Sequence, residues 1–152
     1  MATNNLPAFS VSANVSSSQT LNAGLVVGPT ANTAMDGTGT LYPIFQAGTN
    51  AGSRIDQIIL KPVGSPAQSV ARLFWCSATS FTVGATNTAT NTTCIGDISL
   101  PTVTSSQTLA AVEPTWAKNI WVPPGQFLLV GFGTSTGAAG TGWAATTFAG
   151  SY

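Results

Sequence analysis

Four carboxylates (Asp36, Asp56, Asp97 and Glu113), four cations (Arg54, Lys61, Arg72 and Lys118) and two thiols (Cys76 and Cys94) make up the ionisable chemistry of the sequence, which has no histidine. Without an imidazole, neither a Ser-His-Asp nor a Cys-His arrangement can be assembled. A pair of carboxylates for glycoside hydrolysis would have to be drawn from four isolated acids. Asp56 stands two residues from Arg54, on the same side of any strand that holds both, so an ion pair is the expected use of it. A Ser-Lys dyad built on Lys61 or Lys118 lacks both a Ser-x-x-Lys spacing and a nucleophile elbow. The Gly-rich stretches lack the terminal Gly-Lys-Ser/Thr of a phosphate cradle. With no histidine to complete a zinc site, Cys76 and Cys94 read as two small buried thiols rather than a disulfide between neighbouring strands. The expectation is a protein that is not an enzyme and uses no cofactor or metal.

Composition narrows the partners. Only 5% of the 152 residues are charged, against roughly a quarter in an average soluble protein, while 38 are Ser or Thr and 43% are hydrophobic. Disorder usually accompanies high net charge and few apolar residues, which is the reverse of this balance. No run approaches the roughly 18 to 20 apolar residues of a spanning helix. Zero net charge leaves no electrostatic footprint for a phosphate backbone or an anionic bilayer, so neither nucleic acid nor membrane is expected as a direct partner. Little self-repulsion favours association with itself or with a scaffold. Met1-Ala2-Thr3-Asn4-Asn5 has no basic or apolar leader character, so the expected place of synthesis is a cytoplasm. The Asn14-Val15-Ser16 and Asn91-Thr92-Thr93 glycosylation patterns then carry no weight.

The elements that must position these groups are strands. No window shows apolar residues at i, i+3, i+4 and i+7, and Thr, Val, Ser, Gly and Pro depress helix propensity throughout. Phe9, Val11, Ala13 and Val15 alternate with polar residues over 9–16, as a strand with one wet face does. Strands are expected at 25–27, 41–45, 54–61, 70–76, 80–83, 94–100, 108–112, 120–122, 126–132 and 143–148. Pro43 assigns 41–45 to an edge or a bulge, and apolar residues on both faces make 54–61 and 70–76 central strands. Many short strands separated by turn residues define an all-β, single-domain β-sandwich of the jelly-roll kind, with a flexible N-terminal arm over 1–8 and the sandwich domain over 9–152.

Three stretches between strands draw attention: 28–39 and 133–142, rich in Gly, Ala and Thr, and the hydroxyl-rich tract 84–93. Long loops in compact domains tend to be functional. The tract has no apolar side chain larger than Ala, so it cannot serve core packing, and its order is expected to come from a partner. Thr86, Asn87, Thr88, Thr90, Asn91 and Thr92, with Thr136 in the last loop, are the candidate partner-binding residues. Arg54 and Arg72, each inside a strand with apolar neighbours, are expected to be structural or subunit-bridging, with Asp56, Asp97, Glu113 or backbone carbonyls as acceptors. The four tryptophans read as core or interface anchors. Indoles exposed in a row would instead mark a carbohydrate-binding or receptor-contacting module.

Several short pieces resemble small virion proteins of tailed bacteriophages. These are Gly52-Ser53-Arg54-Ile55-Asp56-Gln57-Ile58, Val70-Ala71-Arg72-Leu73-Phe74, Asp97-Ile98-Ser99-Leu100-Pro101, Trp121-Val122-Pro123-Pro124-Gly125-Gln126 and an aromatic, small-residue terminus over 143–152. The resemblance covers about the last two thirds of the chain and does not extend to residues 1–40. It implies a capsid decoration, or cement, protein with a β-sandwich or jelly-roll core, a homotrimer on the exterior of the phage head that bridges major capsid proteins. The rival expectation is the carbohydrate- or receptor-binding module of a phage tail or fibre.

Overall fold

The computed structural model describes residues 12–17, 30–50, 52–83, 85–117, 119–135 and 141–151. Among them there is no helix, and nine strands form two antiparallel sheets. The strands are β1 (Ser12–Ser17), β2 (Tyr42–Gln46), β3 (Ser53–Val63), β4 (Ser69–Cys76), β5 (Thr92–Leu100), β6 (Thr115–Trp116), β7 (Ile120–Val122), β8 (Phe127–Phe132) and β9 (Gly142–Ser151). One sheet runs β1-β9-β3-β6 with β7 also on β3, and the other runs β2-β8-β4-β5. The pairings nest. The first strand pairs with the last, the second with the eighth, the third with the sixth and seventh, and the fourth with the fifth.

Side chains from both sheets meet in one apolar layer. Ile55, Ile58 and Leu60 of β3 and Trp143 and Ala145 of β9 pack with Ile44, Leu73, Leu128, Val130 and Phe132 of the facing sheet. Each buried Ile, Leu, Val or Phe among them contributes about 1.5–3 kcal/mol of burial. A bulge at Asp56 shifts the β3–β9 register between Ile55 and Gln57. The extra residue lets Ile55 and Ile58, three apart, both reach the core, and leaves Arg54 and Asp56 together outside.

The β2-β8-β4-β5 sheet is buried on its second face too. Leu41, Phe74, Cys76, Phe127 and Leu129 form a separate cluster there, with Phe81 and Cys94 against it, and the Phe81 and Phe127 rings lie 5.7 Å apart. This explains why β8 is apolar at every position: alternation disappears when both faces are covered.

Several expected strands hold. Pro43 lies in an edge strand with a register shift beside it, and β3 and β4 are interior. Residues 80–83 are not a strand; they cross the second face, where Phe81 fills the apolar cluster. Residues 108–112 are an exposed loop, and Thr115–Trp116 takes the strand position instead. The segments expected at 1–8 and 25–27 lie outside the described residues. Cys76 and Cys94 are free thiols, one buried and one half-buried.

Candidate binding surfaces

The described residues of the tract 84–93 are held by their own chain. Asn87 is buried, and its Nδ2 donates to Gly37 O at 2.9 Å and Gly39 O at 2.8 Å. Asn91 Nδ2 donates to Thr86 O, and its Oδ1 accepts from Thr88 N and Thr92 Oγ1. Thr86 Oγ1 accepts from Thr82 N. Thr92 is buried against Gly37. Hydrogen bonds within the chain contribute order to this tract, because the amides find carbonyls on the neighbouring loop and within the tract itself. Thr88 and Thr90 share a contact of 3.0 Å and stay exposed. Thr136 lies outside the described residues.

The neighbouring loop is gripped twice. Asn32 is buried and donates Nδ2 to Thr38 O and Thr40 O, both at 3.0 Å, while its Oδ1 accepts from Ala34 N. Gly37 and Gly39 adopt φ of 88° and 79°, a conformation that favours glycine. Asp36 closes an Asx turn on Thr38. The hydrogen bonds from the Thr38 hydroxyl and from its backbone N–H hold the Asp36 carboxyl below the usual carboxylate range.

Arg54 is exposed, not half-buried among apolar neighbours as its strand position implied, because β3 turns it to the open face of its sheet. It meets Asp56 at 3.2 Å, the expected ion pair, and also reaches Asn119 Oδ1 at 2.8 Å. Beside it, at the opposite register position, Trp121 covers Gly52.

Arg72 is half-buried, and its Nη1 donates to Asn32 O at 3.1 Å, a backbone carbonyl as one expectation had it. Of the candidate acids, Asp56 pairs with Arg54 and Glu113 with Lys61. Asp97 stands directly opposite Arg72 across β4 and β5, and among the described residues it forms no ion pair. Arg72 instead borders a shallow cleft of about 350 Å3 with Ser69, Gly133 and Thr134.

The loop 101–114 includes the segment 108–112 expected as a strand, and it carries an exposed apolar surface. Its start is tied by Val103 N to Pro66 O and by Ser105 to Gly64 and Ser65. Its end is tied by Pro114 O to Leu60 N and by Glu113 to Lys61. Between these anchors Leu109 is 76% exposed and Val112 62% exposed. Two large side chains with no apolar partner inside a run of Thr and Ala were the available signal.

No family model matches the chain, and no match was found among curated proteins or solved structures. The chemistry of the surfaces has to speak for itself. Among the described residues no group of three His, Cys, Asp or Glu side chains converges to hold a metal. Trp116 and Trp143 are core residues, Trp75 is half-buried with its Nε1 on Gln126 Oε1, and Trp121 alone of the four is 54% exposed. They form no exposed row.

Proposed function

We propose that this chain is a structural, non-enzymatic virion component: a decoration protein that binds across neighbouring major capsid proteins on the exterior of a phage head, made in the host cytoplasm and assembled as a homotrimer. The nested pairing of strands supports reading the sandwich as a jelly roll, since that wiring is one long hairpin rolled into two sheets. The sequence resemblance and the scarcity of charge favour a role in which a neutral surface meets a repeated protein lattice.

The observation that carries the reading is the anchored loop 101–114. A loop tied at both ends that holds Leu109 and Val112 out into solvent samples fewer conformations than a free one, which lowers the ordering entropy that opposes docking. Exposed apolar side chains on a fixed support are a contact surface. Three copies engaging one lattice multiply weak contacts through effective concentration.

The test is co-sedimentation of the purified protein with undecorated phage heads, with sedimentation velocity giving the oligomer. Wild type should pellet with heads, and Leu109→Asp with Val112→Asp, both at exposed positions, should stay folded and remain in the supernatant. Wild type remaining in the supernatant would overturn the reading, as would equal pelleting of the double variant for this loop.

A further inference from the structure

The cleft beside Arg72 is lined by Gln68, Ser69, Val70, Arg72, Gly133 and Thr134. Most of its polar groups are already engaged with one another. Ser69 Oγ donates to Thr134 O and accepts from Thr134 N, and Thr134 Oγ1 donates to Gln68 O at 2.9 Å. These bonds pin the start of the β8–β9 connection onto the start of β4 and fix the walls of the cleft.

Arg72 is the exception. A guanidinium offers five N–H donors, and among the described residues this one meets a single acceptor, Asn32 O, while its Nε is buried with no acceptor at all. The other two described cations, Arg54 and Lys61, each lie 3.2 Å from a carboxylate. Arg72 has none among the described residues, although Asp97 faces it in the register. A half-buried charge without a counter-charge is costly, because the chain has removed part of its water and supplied little in return. The neighbourhood also makes room for the head group. Gly133 lies against it, and a Cβ there would come within 3.2 Å of Nη1.

We propose that this cleft is a binding site for a carboxylate, received by Arg72. The charge selects the ligand class: one guanidinium neutralises one carboxylate, whereas a phosphate dianion would leave a second charge uncompensated beside apolar Val70. The planar fork of arginine also matches the geometry of a carboxylate. A volume of about 350 Å3 suits a side-chain-sized group. Such a carboxylate can come from a free small carboxylic acid or from an acidic side chain of another protein. The inference stands apart from capsid attachment and does not depend on it.

The experiment titrates the full chain with sodium acetate, with N-acetyl-glutamate N-methylamide, with sodium phosphate and with sodium chloride at matched ionic strength, following the Arg72 Nε–H resonance and the melting temperature. Both carboxylates should shift the resonance saturably and raise the melting temperature, with phosphate weaker and chloride inert. Tighter binding of the blocked glutamate than of acetate identifies a protein side chain as the source, and equal binding identifies a free acid. Arg72→Gln should abolish carboxylate binding. Should that variant fail to fold, Gly133→Ala keeps the charge while crowding Nη1 and should weaken binding about tenfold, the effect expected of one charge-assisted hydrogen bond. Equal responses to chloride or phosphate, no saturable shift with either carboxylate, or undiminished binding in the folded variants would each overturn the proposal.

Discussion

Asn32 and Asn87 hold four successive carbonyls of one loop between them, Asn87 taking Gly37 O and Gly39 O and Asn32 taking Thr38 O and Thr40 O. Each amide acts as a fork on the carbonyls of alternate residues, so the loop is held from both sides. The two grips join the hydroxyl-rich tract to the body of the sandwich, to which Asn32 N is itself bonded through Phe132 O.

Truncating one fork tests this. Asn87→Ala leaves two inward-facing carbonyls without their donor, and at about 1 kcal/mol for each lost bond the expected destabilisation is about 2 kcal/mol. Urea denaturation measures the cost, and hydrogen exchange of amides in 85–92 should accelerate while that of β3 and β9 does not. A uniform acceleration would mean that the fork supports the whole sandwich rather than one loop.

Gly37 is the most constrained residue of that loop. Its φ of 88° and the Thr92 carbonyl lying where a Cβ would be placed both oppose a side chain. Gly37→Ala should cost more than the roughly 1 kcal/mol typical of backbone strain alone, since a contact with backbone cannot be relieved by rotating a side chain. Thermal unfolding of the variant is the measurement, and a melting temperature at or above that of wild type would show that the loop relaxes freely.

The Arg54–Asp56 pair should matter little. With the two side chains 47% and 61% exposed, solvent screens the attraction, and such pairs contribute about 0–1 kcal/mol. Asp56→Ala is expected to leave the melting temperature nearly unchanged, with Arg54 retained by Asn119.

Asp36 gives the fold an acid-side dependence. A carboxyl whose folded value is depressed stabilises the native state above its unfolded value of about 3.9, and that contribution disappears as pH falls through the lower folded value. Asp36→Asn should therefore be slightly less stable than wild type at neutral pH, and the two melting curves should converge below the ordinary carboxylate range. A gap that widened in acid would contradict the assigned hydrogen bonds.

Much of the sandwich is written in local pattern. Double-sided apolar runs identify β3 and β4 as interior, and Pro43 identifies an edge, because burial and a missing N–H act on each residue directly. The errors come where one signal serves two environments. Phe81 sits in an alternating run that suits a strand, yet it is a lid over a sheet face, and Leu109 and Val112 lie three apart, out of step with a strand's period of two, and both stay exposed. Thr115–Trp116 is too short to show a period. The Asn forks were illegible for another reason: an asparagine in a Thr-rich tract looks the same whether its amide meets water or a carbonyl fifty residues away in sequence, and only the folded chain decides.

The place of β9 has a consequence in time. It lies in the interior of its sheet, with β1 on one side and β3 on the other, so a nascent chain that has emerged only as far as β8 has two strands with a gap between them. Neither can satisfy its backbone groups across that gap, and one edge of β3 stays unpaired until residues 142–151 leave the ribosome. Completion of this sheet must then wait until β9 has been synthesised. During that interval the long-range pairing that makes the finished sandwich durable also leaves its precursor exposed to aggregation and to chaperones.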